Sequence, residues 1–374
     1  MKILHIITSL YDGGAEGVLY RLCCNDEFNE HIVVSLRGQG KYGELLSKNG
    51  IKIYTLNMKP EKFSIITLYK LVKILKKEKV SLVQTWLYHA DFFGSIAAKL
   101  AGVKNLIWNI RHSNFDKTDT KKSLVIMVKI LAKISYFLPR KIIFCSKKSM
   151  IIHQKLGYDK NKFIYIANGY DLKKYRPNKS QKLIFRKKFN LNKNFPILGH
   201  VANFKPNKDH KNLLNALYLL KKKKILFRCF LVGFKINKQN KILNKLVRKL
   251  KLNDEIIFLG PQNNINKFMC GIDIHVLSSK NGEAFPNVIA EAMASETPCV
   301  ATNVGDASEI VGKTGWIVKP NNSGELAKGI IEALKNFKKK DWNNRCTSAR
   351  NRIKINFSIN QMIENYRKVW VNYI

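Results

Sequence analysis

Acidic residues are scarce in this chain of 374 amino acids: Asp and Glu number 26 against 67 Lys and Arg, a formal net charge of +41. Long apolar runs are missing as well. No stretch approaches the roughly 20 consecutive apolar residues that a membrane-spanning helix needs, so the chain is not expected to cross a bilayer. Residues 1–8 form a short apolar run ending at a Gly-rich turn, a first strand rather than the core of a signal peptide, and export is not expected. The seven cysteines include no Cys-x-x-Cys pair and no Cys/His metal spacing, which argues against a structural zinc and for a reduced, cytosolic protein. No Asp-x-Asp occurs anywhere, so a phosphate site clamped through a metal by such a pair is not expected.

What is present is an ordinary globular composition, 45% hydrophobic and 25% charged, over a length that suits two domains. The basic excess invites a polyanionic partner: nucleic acid, an anionic membrane surface or a phosphate-bearing substrate. It consists of 55 Lys and only 12 Arg. Lys is a point charge, whereas base reading favours the planar Arg fork, so nucleic acid stands behind the other two. A Lys- and Asn-rich composition also arises as genome-wide bias without a function.

Strand-like and helix-like segments alternate from residue 3 onward, the pattern of parallel βαβ units and a doubly wound sheet. The regularity breaks between residues 168 and 195, at Asn168-Gly169, Pro177, Asn192 and Pro196, then restarts with a fresh strand over 197–203. This predicts two α/β domains, residues 1–185 and 186–356, and a terminal amphipathic helix in 357–374 packing back toward the N-terminal domain. Open sheets of this kind bind ligands beyond the carboxyl ends of their strands. Residues 123–138 read as a basic amphipathic helix, with Lys122, Lys129 and Lys133 on one face and Lys117, Lys121, Arg140 and Lys141 nearby. It suits an anionic lipid surface, or equally a helix packed on its own domain with solvated lysines.

The clearest candidate site is residues 278–294, Ser-Ser-Lys-Asn-Gly-Glu-Ala-Phe-Pro-Asn-Val-Ile-Ala-Glu-Ala-Met-Ala. A strand over 272–277 runs into a Gly-containing loop, and Pro286 then opens a helix. The amino end of that helix offers N–H groups and a positive dipole end to a phosphate. Glu283 lies before it, and Glu291 about 7 Å up the axis at about 1.5 Å per residue. Carboxylates repel phosphate but accept hydrogen bonds from hydroxyl pairs, such as a ribose diol and a sugar ring. The plainer alternative makes Glu283 a dipole cap and Glu291 a solvated helix residue. Gly38-Gln39-Gly40-Lys41-Tyr42-Gly43 satisfies G-x-G-x-x-G, but it follows the second strand and no acidic residue ends the next one, so nucleotide binding there is not expected. His275, inside an apolar strand, reads as a satisfied core histidine; His89 suits an acceptor pocket or a buried cap equally.

The stretch 283–309, with Glu-x7-Glu, Pro298, Val300-Ala301-Thr302, Gly305 and Glu309-Ile310-Val311, resembles glycosyltransferase family 4, retaining nucleotide-sugar transferases of GT-B fold. The resemblance extends to Gly13-Gly14-Ala15-Glu16 and to Asn168-Gly169-Tyr170-Asp171. Trp86-Leu87-Tyr88-His89-Ala90-Asp91 and Ile110-Arg111-His112-Ser113-Asn114 are similar to a bacterial subset that assembles O-antigen and other surface polysaccharides.

The resemblance implies a GT-B α/β fold, two Rossmann-like doubly wound domains facing across a cleft. It gives Glu283 the donor-sugar hydroxyls, Glu291 the ribose, and the backbone at Phe285, Asn287 and Val288 with Lys208 the diphosphate. It brings Gly14 to that diphosphate and His112 near the donor sugar, so that Glu283, His112 and Lys208 are the catalytic candidates. With the missing Asp-x-Asp and the basic helix, it leads to the expectation of a cytoplasmic enzyme peripheral on the inner face of the membrane, using a nucleoside-diphosphate sugar as donor and a lipid-linked saccharide as acceptor, with no cofactor and no metal. Two positions depart from the family: Asn203 stands where a second phosphate-binding Arg is common, and Glu296 where an Ala-x-Gly-x-Pro turn has its Gly. The competing readings are a nucleotide-sugar epimerase of similar fold and a polyanion-binding protein.

Overall fold

The computed structural model describes residues 1–59, 65–113 and 122–372. It divides into two compact units: residues 1–169 with 359–374, and residues 170–358.

The first unit alternates β1 (Lys2–Ile7), α1 (Gly14–Asn25), β2 (Glu30–Ser35), α2 (Gly40–Lys48), β3 (Lys52–Thr55), α3 (Ile65–Glu78), β4 (Leu82–Trp86), α4 (Tyr88–Ala101), β5 (Leu106–Ile110), α5 (Lys122–Ile134), β6 (Lys141–Phe144), α6 (Lys147–Lys155) and β7 (Phe163–Tyr165). All its strand pairs are parallel, in the order β3-β2-β1-β4-β5-β6-β7. The central strands are apolar on both faces, as a sheet covered by helices on both sides requires. Leu4 and Ile6 of β1 enter one core with Leu71, Phe93 and Leu131, while Ile3 and Ile7 enter the other with Val18 and Leu19. The strand order reverses between β1 and β4, so the loops following these two strands border the crevice where such sheets take ligands.

The second unit contains α7 (Lys179–Lys188), β8 (Ile197–Val201), α8 (His210–Lys222), β9 (Arg228–Val232), α9 (Lys241–Lys249), β10 (Ile256–Gly260), α10 (Ile265–Gly271), β11 (Ile274–Leu277), α11 (Asn287–Ala294), β12 (Cys299–Thr302), α12 (Ala307–Val311), β13 (Trp316–Val318), α13 (Ser323–Phe337) and α14 (Trp342–Asn356). Its sheet is again parallel, ordered β10-β9-β8-β11-β12-β13, with the reversal between β8 and β11.

The division falls between Gly169 and Tyr170, not after residue 185 as the sequence suggests. Within the interrupted stretch lies α7, whose basic sequence hides its anchors. Phe185 packs on Phe230 and Phe268, and Arg186 donates to Asp273 Oδ2 at 2.7 Å. These contacts tie α7 to the second unit. The terminal helix α15 (Ile359–Val371) belongs to the first unit, where Trp370 is fully buried and its indole N–H donates to Gln84 Oε1 at 2.7 Å.

Candidate functional site

In the second unit the two loops at the sheet's reversal carry the candidate residues. After β8 the chain makes a short turn, Pro206–Lys208, and Asp209 (φ 48) then caps α8 by accepting from Asn212 N–H at 3.1 Å. After β11 comes the loop with Glu283. The loops are stitched together: Ser278 Oγ donates to Lys208 O at 2.8 Å, and Lys280 N–H donates to Asn207 O at 2.9 Å. Gly282 (φ +77) passes so close to Asn207 that a Cβ would strike its carboxamide. The result is direct contact between two predicted residues. Lys208 Nζ is ion-paired to Glu283 Oε1, and Ser279 Oγ donates to the same oxygen at 2.8 Å.

Pro286 stands one position ahead of α11, so Asn287 and Val288 occupy its first turn, where the helix supplies no acceptor for their N–H groups. Glu291 is the fifth residue of α11 and half-buried. Behind this end of α11, Tyr170 O–H donates to Asn287 Oδ1 at 2.5 Å, and its ring stacks on Phe285 with centroids 6.4 Å apart. Gly305 (φ +52) lies where a Cβ would meet the carbonyls of Glu283 and Ala284, and Asp306 N–H donates to Ala284 O at 2.9 Å. The loop is thus fixed from both sides. Sequence reading missed Ser278, Ser279 and Tyr170 as supports. The Ser pair directly ahead of the loop was the available signal.

Gly14 and His112 belong to the first unit. Gly14 is exposed at the first position of α1, and His112 is half-buried just past β5, its carbonyl accepting from Ser149 Oγ at 2.6 Å. His89 is the second residue of α4 and half-buried. The glycines at 38–43 serve packing: a Cβ on Gly40 (φ +52) would strike the backbone of Leu10 and Tyr11.

Both departures from the family pattern have local explanations. Asn203 Oδ1 accepts from Phe234 N–H at 2.8 Å, holding two loops together rather than supplying a cation. Glu296 adopts φ +62 at the end of α11, where its N–H bonds Met293 O at 3.0 Å and that of Thr297 bonds Ala292 O at 3.0 Å. This is the Schellman turn that glycine ordinarily closes. The turn persists at a cost in backbone strain.

His275 corrects an expectation. It is fully buried, but neither ring nitrogen has a hydrogen-bond partner among the described residues. Burial, with His200 nearby, pushes it down to about 3, so it is a neutral, unsatisfied ring.

His5, Cys23 and His31 form a buried cluster in the first unit whose ligand atoms lie within 4.8 Å of one another. Trp86 Nε1–H donates to His5 Nδ1 at 3.2 Å, which leaves the His5 proton on Nε2, 3.0 Å from His31 Nδ1. His31 Nε2 then faces Asp26 Oδ2 at 3.2 Å. A metal between the two rings would shift the proton to His5 Nδ1, opposing it to the indole N–H, and an indole can only donate. The cluster is built as a hydrogen-bonded relay.

No helix among the described residues is long and apolar enough to cross a membrane. On α5, Val128, Leu131 and Ala132 are buried, while Ile126, Ile130, Tyr136 and Phe137 on the helix and just after it are exposed, the last at 83%. Lys117 and Lys121 lie outside the described residues.

The family model for glycosyltransferase family 4 matches residues 13–174, and that for glycosyl transferases group 1 matches residues 181–349. The UDP-Gal:alpha-D-GlcNAc-diphosphoundecaprenol alpha-1,3-galactosyltransferase of Escherichia coli is 25% identical over 320 residues, spanning 83% of this chain and 79% of that protein. The capsular polysaccharide biosynthesis glycosyltransferase CapH of Staphylococcus aureus is 25% identical over 319 residues, 83% of each chain. Among solved structures, HepE of Anabaena in complex with UDP matches with a TM-score of 0.88 at 22% identity over all of both chains, and its UDP-glucose complex with 0.86. With its N-terminal part matching glycosyltransferase family 4, its C-terminal part matching glycosyl transferases group 1, and two parallel α/β units of this order, the protein is a glycosyltransferase of GT-B fold.

Proposed function

We propose that the enzyme moves a sugar from a nucleoside-diphosphate donor to a sugar hydroxyl with retention, on a lipid-linked acceptor in surface-polysaccharide assembly such as O-antigen. The observation that carries this is the Lys208–Glu283 ion pair at the sheet reversal, immediately ahead of the amino end of α11. Cleavage at the anomeric carbon builds charge on the departing diphosphate. The ammonium of Lys208 and the first-turn amides of α11 are aligned in advance to stabilise it. A diphosphate at that place competes with Glu283 for Lys208. Once Lys208 turns to phosphate, the Glu283 carboxylate accepts from hydroxyls of the donor sugar, and Glu291 from the ribose. Tyr170 holds Asn287, and through it the first turn of α11, in register.

The crystal structures of HepE with UDP and UDP-glucose support a uridine donor, and the diphosphoundecaprenol substrate in the E. coli relative's name supports a lipid-linked acceptor. Such an acceptor supports a place on the inner face of the cytoplasmic membrane, with the exposed apolar residues of α5 and its lysines against anionic lipid. Neither a cofactor nor a metal is assigned a role, since Lys208 and α11 supply the positive charge. Saturation with UDP, GDP and ADP, followed by turnover of the matching nucleotide sugars with and without EDTA, tests the reading. Binding of one nucleoside diphosphate and chelator-resistant turnover are expected; activity abolished by EDTA and rescued by Mg²⁺ or Mn²⁺ contradicts the metal-free mechanism.

A further inference from the structure

Glu16 is a buried carboxylate that the donor site does not use. It is 8% exposed, in the first turn of α1, beside the crevice at the β1/β4 reversal. Its side chain folds back over Gly13, so closely that a Cβ on Gly13 would overlap the carboxylate. Gly13 itself is extended (φ −151, ψ 169), so this position needs its glycine for space and not for conformational freedom.

The carboxylate is thinly satisfied for so buried a charge. Ser9 Oγ donates to Oε1 at 3.3 Å and the residue's own N–H adds a contact, while Asp12 and Arg111 act only through longer-range charge. Arg111 is otherwise engaged: its Nη2 donates to Asn168 Oδ1 at 2.5 Å and its guanidinium lies 5.3 Å over the Trp86 ring. A carboxylate has about four acceptor positions, and buried ones left empty are costly. Next to Ser9 in sequence, the Thr8 hydroxyl oxygen is buried with no hydrogen-bond partner among the described residues. Burial also pushes the Glu16 carboxyl up from its ordinary value.

We propose that Glu16 binds a hydroxyl of the saccharide acceptor in the first unit. A phosphate arriving at the amino end of α1 would meet a carboxylate already there. A sugar hydroxyl would find an acceptor whose remaining positions are open and whose orientation Ser9 and Gly13 fix. The diphosphate contact that the family resemblance gives Gly14 is replaced, in this proposal, by a hydroxyl contact made by its neighbour. The proposal rests on the glycosyltransferase reading and adds to it the acceptor side.

The test uses the full chain, UDP-glucose and UDP-galactose as donors, and a set of alkyl α-glycosides as soluble acceptors. Glu16→Gln keeps the size and removes the charge. The expected result is an acceptor KM raised at least tenfold, with UDP affinity and slow donor hydrolysis by water within twofold of wild type. Ser9→Ala, which leaves the carboxylate in place, is expected to move the same parameter about threefold and guards against a folding defect in Glu16→Gln. Equal losses of acceptor and UDP affinity would overturn the proposal, as would unchanged acceptor binding. If the wild type turns over no donor, the donor reading fails separately. Direct titration of the glycosides into wild type and Glu16→Gln then decides the role of Glu16, equal binding overturning it.

Discussion

The ammonium of Lys208 and the carboxylate of Glu283 lie 75 positions apart in sequence and meet as an ion pair, each partly shielded from water. On the proposed reading, the pair stores at one place the two charges the reaction uses. Lys208→Ala leaves Glu283 without its cation and would leave α11 without its proposed partner in holding phosphate. Donor affinity should fall ten- to a hundredfold, and stability by about 1–2 kcal/mol, below the range for fully buried pairs because both groups keep some solvent. Isothermal titration of UDP and a denaturant melt measure the two effects. Unchanged UDP affinity would remove Lys208 from the donor site.

Glu296 occupies the left-handed position that closes α11, a conformation that costs a residue with a Cβ about 1 kcal/mol. Glu296→Gly should therefore stabilise the protein by up to about 1 kcal/mol, part of it offset by the greater freedom of glycine in the unfolded chain. The shift of the urea midpoint reads this directly, and a destabilised variant would mean that the Glu296 side chain contributes more than its backbone strain takes away.

Acid should weaken both units. Burial holds His153 and His200 down to about 4, and His210 and His275 down to about 3; it also lowers His5 well below its usual value. These rings are neutral when folded and take up protons near 6.5 when unfolded, so their contribution is present above that pH and lost as pH falls toward 4 and 3. Asp91 and Glu16, raised by burial, run the other way, but they are two groups against five. Thermal unfolding at pH 7.5 and pH 5.0 should show a clear drop in Tm. Replacing His275 by Leu should flatten that dependence, and a pH-independent Tm would contradict the neutral-ring account.

If α5 lies on an anionic membrane as proposed, four basic residues on and beside it set the scale of binding. Lys122, Lys129, Lys133 and Arg140 are exposed, and each contributes on the order of 1 kcal/mol near an anionic surface at moderate salt. Changing all four to Gln should lower binding to phosphatidylglycerol vesicles by two to three orders of magnitude, roughly 1.4 kcal/mol per decade. Activity toward a soluble acceptor should survive. Co-sedimentation that does not change would make the +41 charge a matter of composition.

Much of the fold was legible because parallel strands buried on both faces announce themselves as short apolar runs between amphipathic segments. The candidate loop stood out because Glu283, Pro286 and Glu291 sit in one continuous stretch. What stayed hidden depends on partners distant in sequence. Nothing local distinguishes α7 from a linker, since its anchors, Phe230, Phe268 and Asp273, follow 40 to 90 residues later. Strand β7 is only three residues long. The pairing of Lys208 with Glu283 is set by sheet order, which brings the β8 and β11 loops side by side, and that of Tyr170 with Asn287 joins positions 117 apart, with Tyr170 N–H held by Phe357 O at 2.9 Å. His275 misled because an apolar strand gives no sign of whether a buried ring will find a partner.

The central claim is that Glu283 and Glu291 divide the donor between them, the first holding the reacting sugar and the second the ribose. The most direct measurement is the dissociation constant for UDP beside kcat for the matching UDP-sugar, in Glu283→Gln and in Glu291→Ala. Because ribose contacts are made equally in ground and transition states, Glu291→Ala should weaken UDP at least tenfold. Glu283→Gln should leave UDP binding within about threefold and lower kcat a hundredfold or more. Equal losses of UDP affinity in both variants, or full turnover in Glu283→Gln, would contradict the account.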